Sequence, residues 1–199
     1  MQAQIWMALD FHAFGFLAYH TETPRLHISQ SIAVLPSCKR TIFVHSFSMD
    51  DKALLQMMPG QLLARGVCRH LLSYDFVSVE ELVPTSGRRV DVMALGPKGE
   101  IWIVECKSSR ADFQSDHKWQ GYLEWCDRFF WAVDQDFPTK LLPSDTGLII
   151  ADAYDAAIIR MSVEKKLASA RRKSMIQKFA RHAARRSQTS RDPGVARFG

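Results

Sequence analysis

Three side chains in the middle of this 199-residue sequence have the types and spacing for phosphoryl chemistry: Asp91, Glu105 and Lys107. They sit on Arg88-Arg89-Val90-Asp91-Val92-Met93-Ala94-Leu95 and Glu100-Ile101-Trp102-Ile103-Val104-Glu105-Cys106-Lys107, two aliphatic-rich runs around the turn Gly96-Pro97-Lys98-Gly99. That pattern predicts a β-hairpin. With the period of two of a strand, Ile101, Ile103, Glu105 and Lys107 share one face. On the partner strand Val90, Val92 and Ala94 are expected on one face and Arg89, Asp91 and Met93 on the other. A short hairpin can then bring Asp91 beside Glu105.

Two carboxylates and an ammonium at the ends of such apolar strands need partners, because isolated buried charge is costly. Adjacent carboxylates raise each other's pKa unless a cation neutralises them. Oxygen ligands of this kind suit Mg²⁺, or Mn²⁺, which binds through one or two carboxylates, waters and a phosphate. A neighbouring lysine can orient or deprotonate a water and offset charge on phosphoryl oxygens. The simpler alternative is a structural ion pair between Lys107 and one carboxylate.

At these residues the sequence resembles the PD-(D/E)xK nuclease superfamily. Its acidic position corresponds to Asp91 and its E-x-K to Glu105-Cys106-Lys107, while Arg88-Arg89-Val90 lacks the proline of the nominal motif. The run from Glu105 to Phe113, followed by Asp116-His117-Lys118-Trp119, is similar to a bacterial MmcB-type DNA-repair family, with the resemblance extending from about Leu54 to Arg186. It implies a restriction-endonuclease-like α/β fold with a mixed sheet flanked by helices. It also implies a DNA-repair endonuclease with Asp91 and Glu105 on the metal, the Cys106 backbone carbonyl completing the ligands, and Lys107 positioning water. A further acid often comes from the first helix of that superfamily, and Glu81 is the preferred substitute here. The helix after E-x-K often lends a polar group, for which Gln120, Lys118 and Asp116 are the candidates.

The surrounding elements must position this set. Leu62, Leu63, Val67 and Leu71 predict a helix over about 60–72, with Arg65 and Arg69 on its polar side, either solvated or touching phosphate. A strand over 76–83 is expected to put Phe76, Ser78, Glu80 and Leu82 on one face and Val77, Val79, Glu81 and Val83 on the other. After Lys107 a helix over about 113–126, capped by Asp112, carries Trp119, Leu123 and Cys126 toward the sheet. Trp119, Tyr122 and Trp125 read as core aromatics more readily than as base-stacking platforms. Buried strands follow over 127–133 and 147–152, the second with a strand over 156–161 paired beside it, and a proline-marked loop lies at 134–145.

The length suits one domain with a substantial core, extending over 49–163. The net charge of +5 conceals an asymmetry, because residues 165–199 hold eleven Lys/Arg and one acid. A basic amphipathic helix is expected over 164–186, with Ile176, Phe179, Ala180 and Ala183 as its apolar stripe and Arg171, Lys178 and Arg185 as candidate DNA contacts. A merely solvated face and a membrane-surface helix are the alternatives. Residues 1–48 show no clear period and are expected to be a disordered or non-native extension, with Met49 as a possible start; His12, His20, His27 and His45 have no ligand spacing. The sequence lacks the basic start of a signal peptide and any run long enough to cross a membrane. Cys38, Cys68, Cys106 and Cys126 show no CxxC spacing and read as reduced thiols of a cytosolic protein, not a zinc site. DNA is the expected partner, with other repair proteins if the chain is instead a non-catalytic adaptor on the same fold. A regulatory domain with Lys107 in a buried ion pair is the remaining reading.

Overall fold

The computed structural model describes residues 30–33, 42–45 and 54–198. The chain divides into two compact units, 1–55 and 56–199. In the first, β1 (Gln30–Ala33) and β2 (Ile42–His45) pair antiparallel, with Gln30 opposite His45 and Ala33 opposite Ile42. The rest of the expectation for residues 1–48, including the histidines other than His45, lies outside the described residues, as do Cys38 and Met49.

The second unit is a six-stranded mixed sheet flanked by helices, with spatial order β3-β4-β5-β6-β7-β8. The strands are β3 (Val77–Thr85), β4 (Arg88–Leu95), β5 (Ile101–Lys107), β6 (Arg128–Val133), β7 (Gly147–Ala151) and β8 (Ala156–Arg160). The pairs β3–β4 and β4–β5 are antiparallel, β5, β6 and β7 are mutually parallel, and β8 is again antiparallel to β7. All seven residues of β5 are buried. This central strand carries Glu105 and Lys107.

Helix α1 (Pro59–Leu72) covers one face of the sheet. Proline at its start needs no intrahelical N–H partner, and Leu63, Ala64, Val67 and Leu71 pack with Val92, Ala94, Trp102, Val104 and Phe130. Gly66 lets the helix approach the turn after β7, since a Cβ there would lie 2.0 Å from the Asp152 carbonyl oxygen. Arg65 is committed to that turn: it donates to the Ala153 carbonyl and lies 5.6 Å from the Tyr154 ring centroid. Arg69 is exposed.

The opposite face packs Val79, Leu82, Val90, Met93, Ile103, Phe129 and Trp131 under α3 (Ser169–Arg191) and the segment after β5. Here two face assignments need correction. Val90 joins Met93, not Val92 and Ala94, and Leu82 joins Val79, not Phe76. The reason is local: Glu81 adopts the left-handed backbone region (φ 58°), and the alternation of both strands slips between the pairs Glu80–Val92 and Leu82–Val90. Asp91 lies in that irregular stretch.

The helix expected over 113–126 is also corrected. Helix α2 spans only Arg110–Ser115, and Trp119–Tyr122 forms a 3₁₀ turn. Ser109, not Asp112, caps α2, accepting from the Asp112 N–H at 3.1 Å. Asp116 ends it by taking an extended backbone conformation and accepting from the Lys118 N–H at 2.9 Å, a local bond that competes with helix. Trp119, Leu123 and Cys126 still reach the core. Trp119 lies 5.7 Å from Phe129 and 5.5 Å from Trp131 between ring centroids, as core packing requires.

Helix α3 begins at Ser169, later than expected, because the preceding segment is held extended: the Lys165 and Leu167 N–H groups donate to Asp127 at 2.8 and 2.9 Å. Its buried residues are Met175 and Phe179, whereas Ala180 of the expected stripe is exposed. Cys106 and Cys126 are buried and Cys68 half-buried, all three as free thiols. Among the described residues no helix is long and apolar enough to cross a membrane.

Candidate active site

The ladder between β4 and β5 runs from Leu95–Ile101 to Val92–Val104. Beyond it, side chains replace backbone partners. The Cys106 N–H donates to Asp91 Oδ2 at 2.8 Å, and the Asp91 N–H donates to Glu105 Oε1 at 3.3 Å. Each carboxylate thus bridges to the other's strand, and the expected convergence of Asp91 and Glu105 is present. Lys107 Nζ stands 3.7 Å from Glu105 Oε2 and 2.7 Å from Asp116 Oδ2. Asp116 is the group that the segment after E-x-K contributes.

Burial makes this set unusual. The side chains of Glu105 and Lys107 are 4% and 8% exposed and that of Asp116 12%, while Asp91 is half-buried. Burial, and then the charge of Asp91, push the Glu105 carboxyl up to about 8 against the pull of Lys107. Asp91 is also raised, by burial, with the Cys106 N–H and Lys107 opposing. For Lys107 burial works to lower the pKa, but the hydrogen bond with Asp116 and the charges of Glu105 and Asp116 override it and leave the pKa raised. Burial likewise works to raise Asp116, and is overcome by Lys107 and by the Lys118 and Trp119 N–H groups. The Tyr122 phenol, buried next to these carboxylates, is pushed up to about 12 and donates to the Arg89 carbonyl at 3.0 Å.

The cluster therefore holds three carboxylates against one firmly protonated ammonium. Lys107 is suited to hold and orient an anion or a water, and unsuited to take its proton. Among the described residues Asp91 Oδ1 receives no donor, so hard oxygen sites are left for a cation. Their chemistry fits Mg²⁺ or Mn²⁺ held by two carboxylates and a backbone carbonyl. No group of three or more His, Cys, Asp or Glu side chains able to hold a metal is found among the described residues.

The other candidates fall outside this constellation. Glu81 is turned to solvent by its left-handed backbone and pairs at 3.4 Å with Arg89, both side chains more than half exposed. Gln120 is exposed on the 3₁₀ turn, and Lys118 is exposed too. On α3, Arg171 donates to the Glu124 carbonyl at 2.8 Å and lies 5.0 Å from the centroid of Trp125. Lys178 donates to the Pro84 carbonyl and lies 5.6 Å from that same ring. Only Arg185 of the three projects free into solvent.

One charged pair escaped the sequence reading. Asp127, 3% exposed, accepts two bonds from Arg172, at 2.6 and 2.7 Å, and one each from the Ile101 and Leu167 N–H groups. Its only signal was an acid opening an otherwise apolar strand.

The comparisons agree with this architecture. The family described as DNA repair protein MmcB-like matches residues 51–194. This chain belongs to the MmcB-like family. A solved protein of unknown function from Silicibacter pomeroyi is 72% identical with a TM-score of 0.69, the match covering 69% of this chain and 94% of that one. No curated protein matches. The MmcB-like assignment carries a role in DNA repair, and it spans both strands of the carboxylate fork and the whole of α3.

Proposed function

We propose that this MmcB-like protein is a PD-(D/E)xK-type endonuclease that hydrolyses phosphodiester bonds of DNA with a divalent metal. The observation that carries the reading is the fork at the end of β4 and β5, where Asp91 and Glu105 are buried together beside Lys107. A pair of bridging carboxylates with raised pKa values is an expensive arrangement for a structural role, and such sites concentrate where chemistry is done. Asp91, Glu105 and the Cys106 carbonyl would hold Mg²⁺ or Mn²⁺, which when bound offsets the carboxylates and polarises the phosphodiester. Asp116 fixes Lys107 from behind. The ammonium then faces Glu105, where it can orient the attacking water and stabilise charge gathering on the phosphoryl oxygens. Its permanent proton assigns it this electrostatic part.

The test is cleavage or nicking of a panel of structured DNAs by purified protein with and without Mg²⁺. Metal-dependent cleavage abolished by Lys107→Ala and by Asp91→Ala is expected. Equal activity in wild type and variants would mark a contaminant and sink the proposal.

A second reading, a DNA-binding or adaptor protein on the same fold, is favoured by the near-complete enclosure of Glu105 and Lys107 and by the neutralising contact with Asp116. Under it Lys107→Ala leaves the repair phenotype intact. Truncation at residue 165 cannot separate the two, because it removes Arg172, Met175 and Phe179 from the fold.

A further inference from the structure

The DNA surface expected from the sequence was the basic face of α3, yet that helix spends much of its charge internally. Arg171, Arg172, Lys178 and Arg186 each donate to a carbonyl or carboxylate of the body. A second set of cations flanks the fork residues along the chain. Arg88 and Arg89 precede Asp91 by three and two residues on β4, Arg110 opens α2 three residues after Lys107, and Lys118 follows Asp116 by two. Arg110 and Lys118 are exposed, and among the described residues neither has an acidic partner.

The geometry ties these residues to one another. Arg88 donates to the Lys118 carbonyl at 3.0 Å, and the Tyr122 hydroxyl donates to the Arg89 carbonyl at 3.0 Å. The 116–122 segment is thereby strapped across the start of β4, while Asp116 at its head binds Lys107. Gly121 makes room for the strap: a Cβ there would lie 1.4 Å from Arg88 Nη1. The start of β4 and the 3₁₀ turn are in this way tied to each other and, through Asp116, to Lys107.

We propose that Arg110 and Lys118, the latter on a strap held by Arg88, form a cationic rim that seats the nucleic-acid phosphates on either side of the bond presented to Asp91, Glu105 and Lys107, with Arg89 released to it when its exposed pair with Glu81 opens. The inference rests on the nuclease reading for the position of that bond, and on electrostatics for the rest. The carboxyl groups of the cluster outnumber its one ammonium and leave little positive charge to attract a polyanion, so the approaching backbone needs fixed positive charge close outside it. The rim supplies that charge with side chains that have no competing acid. Helix α3 is left as a clamp on the body, with Lys173, Arg181 and Arg185 on its outer side.

The experiment is binding of a fluorescent oligonucleotide, as a single strand and as a duplex, measured in EDTA over a salt series so that cleavage plays no part. Compared are wild type, Arg110→Gln/Lys118→Gln, the same pair with Arg88→Gln, and Lys173→Gln/Arg185→Gln on α3. Each lost phosphate contact lowers the slope of log affinity against log salt by about 0.9 on duplex and about 0.7 on single strands. The rim pair is expected to lower it by about 1.8 on duplex and about 1.4 on single strands, with Arg88→Gln adding no further contact loss because its guanidinium is spent on the strap. The exposed rim pair leaves the thermal midpoint unchanged, which separates lost contacts from lost folding.

Wild type that binds neither form, or rim variants with an unaltered slope, overturns the proposal. So does a loss confined to the α3 pair. Rim-dependent binding by a wild type that never cleaves would sink the nuclease reading and leave the rim standing, whereas metal-dependent cleavage with a rim-independent slope would do the reverse.

Discussion

Two buried ionic clusters lie in the same fold and obey opposite rules. Around Asp127 one carboxylate meets one guanidinium and two backbone N–H groups, and its pKa is lowered although burial pulls it upward. Around Glu105 three carboxylates share one ammonium, and burial wins: Glu105 and Asp91 are both raised. The first cluster is balanced and ties α3 and the segment before it to the start of β5. The second is out of balance toward negative charge. A fold gains nothing from that excess, which is the imbalance that the proposed cation would relieve and which the Asp127 pair does not share.

The comparison breaks most visibly if the two clusters are exchanged in their consequences. Lys107→Ala and Asp91→Asn are expected to lower metal-dependent cleavage per folded molecule by about 10² to 10⁴-fold, the range for loss of a positioned catalytic group; Asp91→Asn shifts the thermal midpoint little, whereas Lys107→Ala also lowers it, because Asp116 loses its buried partner. Asp127→Asn is expected to do the converse. Breaking a buried pair by removing one partner costs about 3 to 5 kcal/mol, and the lower end applies because 26% of the Arg172 side chain remains exposed. Chemical denaturation reads this loss, and activity per folded molecule should stay near wild type below the melting range. An Asp127→Asn protein as stable as wild type would remove the structural half of the contrast.

Metal addition sharpens it further. At a Mg²⁺ concentration about one hundred times its dissociation constant, a site present only in the folded state adds about 2.7 kcal/mol. Denaturation with and without the ion should show this gain in wild type and in Asp127→Asn, and lose it in Asp91→Asn. A gain that survives Asp91→Asn would place the ion elsewhere.

How much of this was legible beforehand depended on the range of the interaction. The hairpin is a local pattern, so Asp91, Glu105 and Lys107 could be brought together from spacing alone. Asp116 was visible only as one of three polar candidates, because the carboxylate that ends α2 takes its N–H partner two residues ahead and its ammonium from β5. The slip at Glu81 was invisible: a left-handed backbone at a glutamate has no composition signal, and it reversed the faces of Leu82 and Val90. The expected α3 stripe holds at Ile176, Phe179 and Ala183, which pack on the core, but its edges were misplaced for a different reason, with Met175 missed and Ala180 exposed. Its phase is set by Arg172 reaching Asp127 and by Met175 entering the core, contacts made with strands more than forty residues away in sequence. Alanine-rich periodicity carries too little apolar contrast to fix that phase.

The mildest effect concerns pH, and it separates the clusters by sign. Glu105 has a folded pKa of about 8 against an ordinary value of 4.5, so between those limits the folded state holds a proton that the unfolded state has released. Its contribution to stability is therefore full below about 4.5 and is lost as pH rises through about 8. Asp127, lowered from 3.8, contributes stability that is present above its unfolded value and is lost as pH falls below it. In EDTA the wild-type protein should weaken gradually from pH 5 to pH 8, and Glu105→Gln should flatten that slope because its amide cannot ionise. At pH 8 the variant is expected to match or exceed wild type by about 1 kcal/mol, as a neutral isostere replacing uncompensated buried charge does. Denaturation midpoints at the two ends of the range decide the matter. A slope that persists in Glu105→Gln would mean that the buried excess charge resides on Asp91, and the metal-free protein would then be relieved by Asp91→Asn instead.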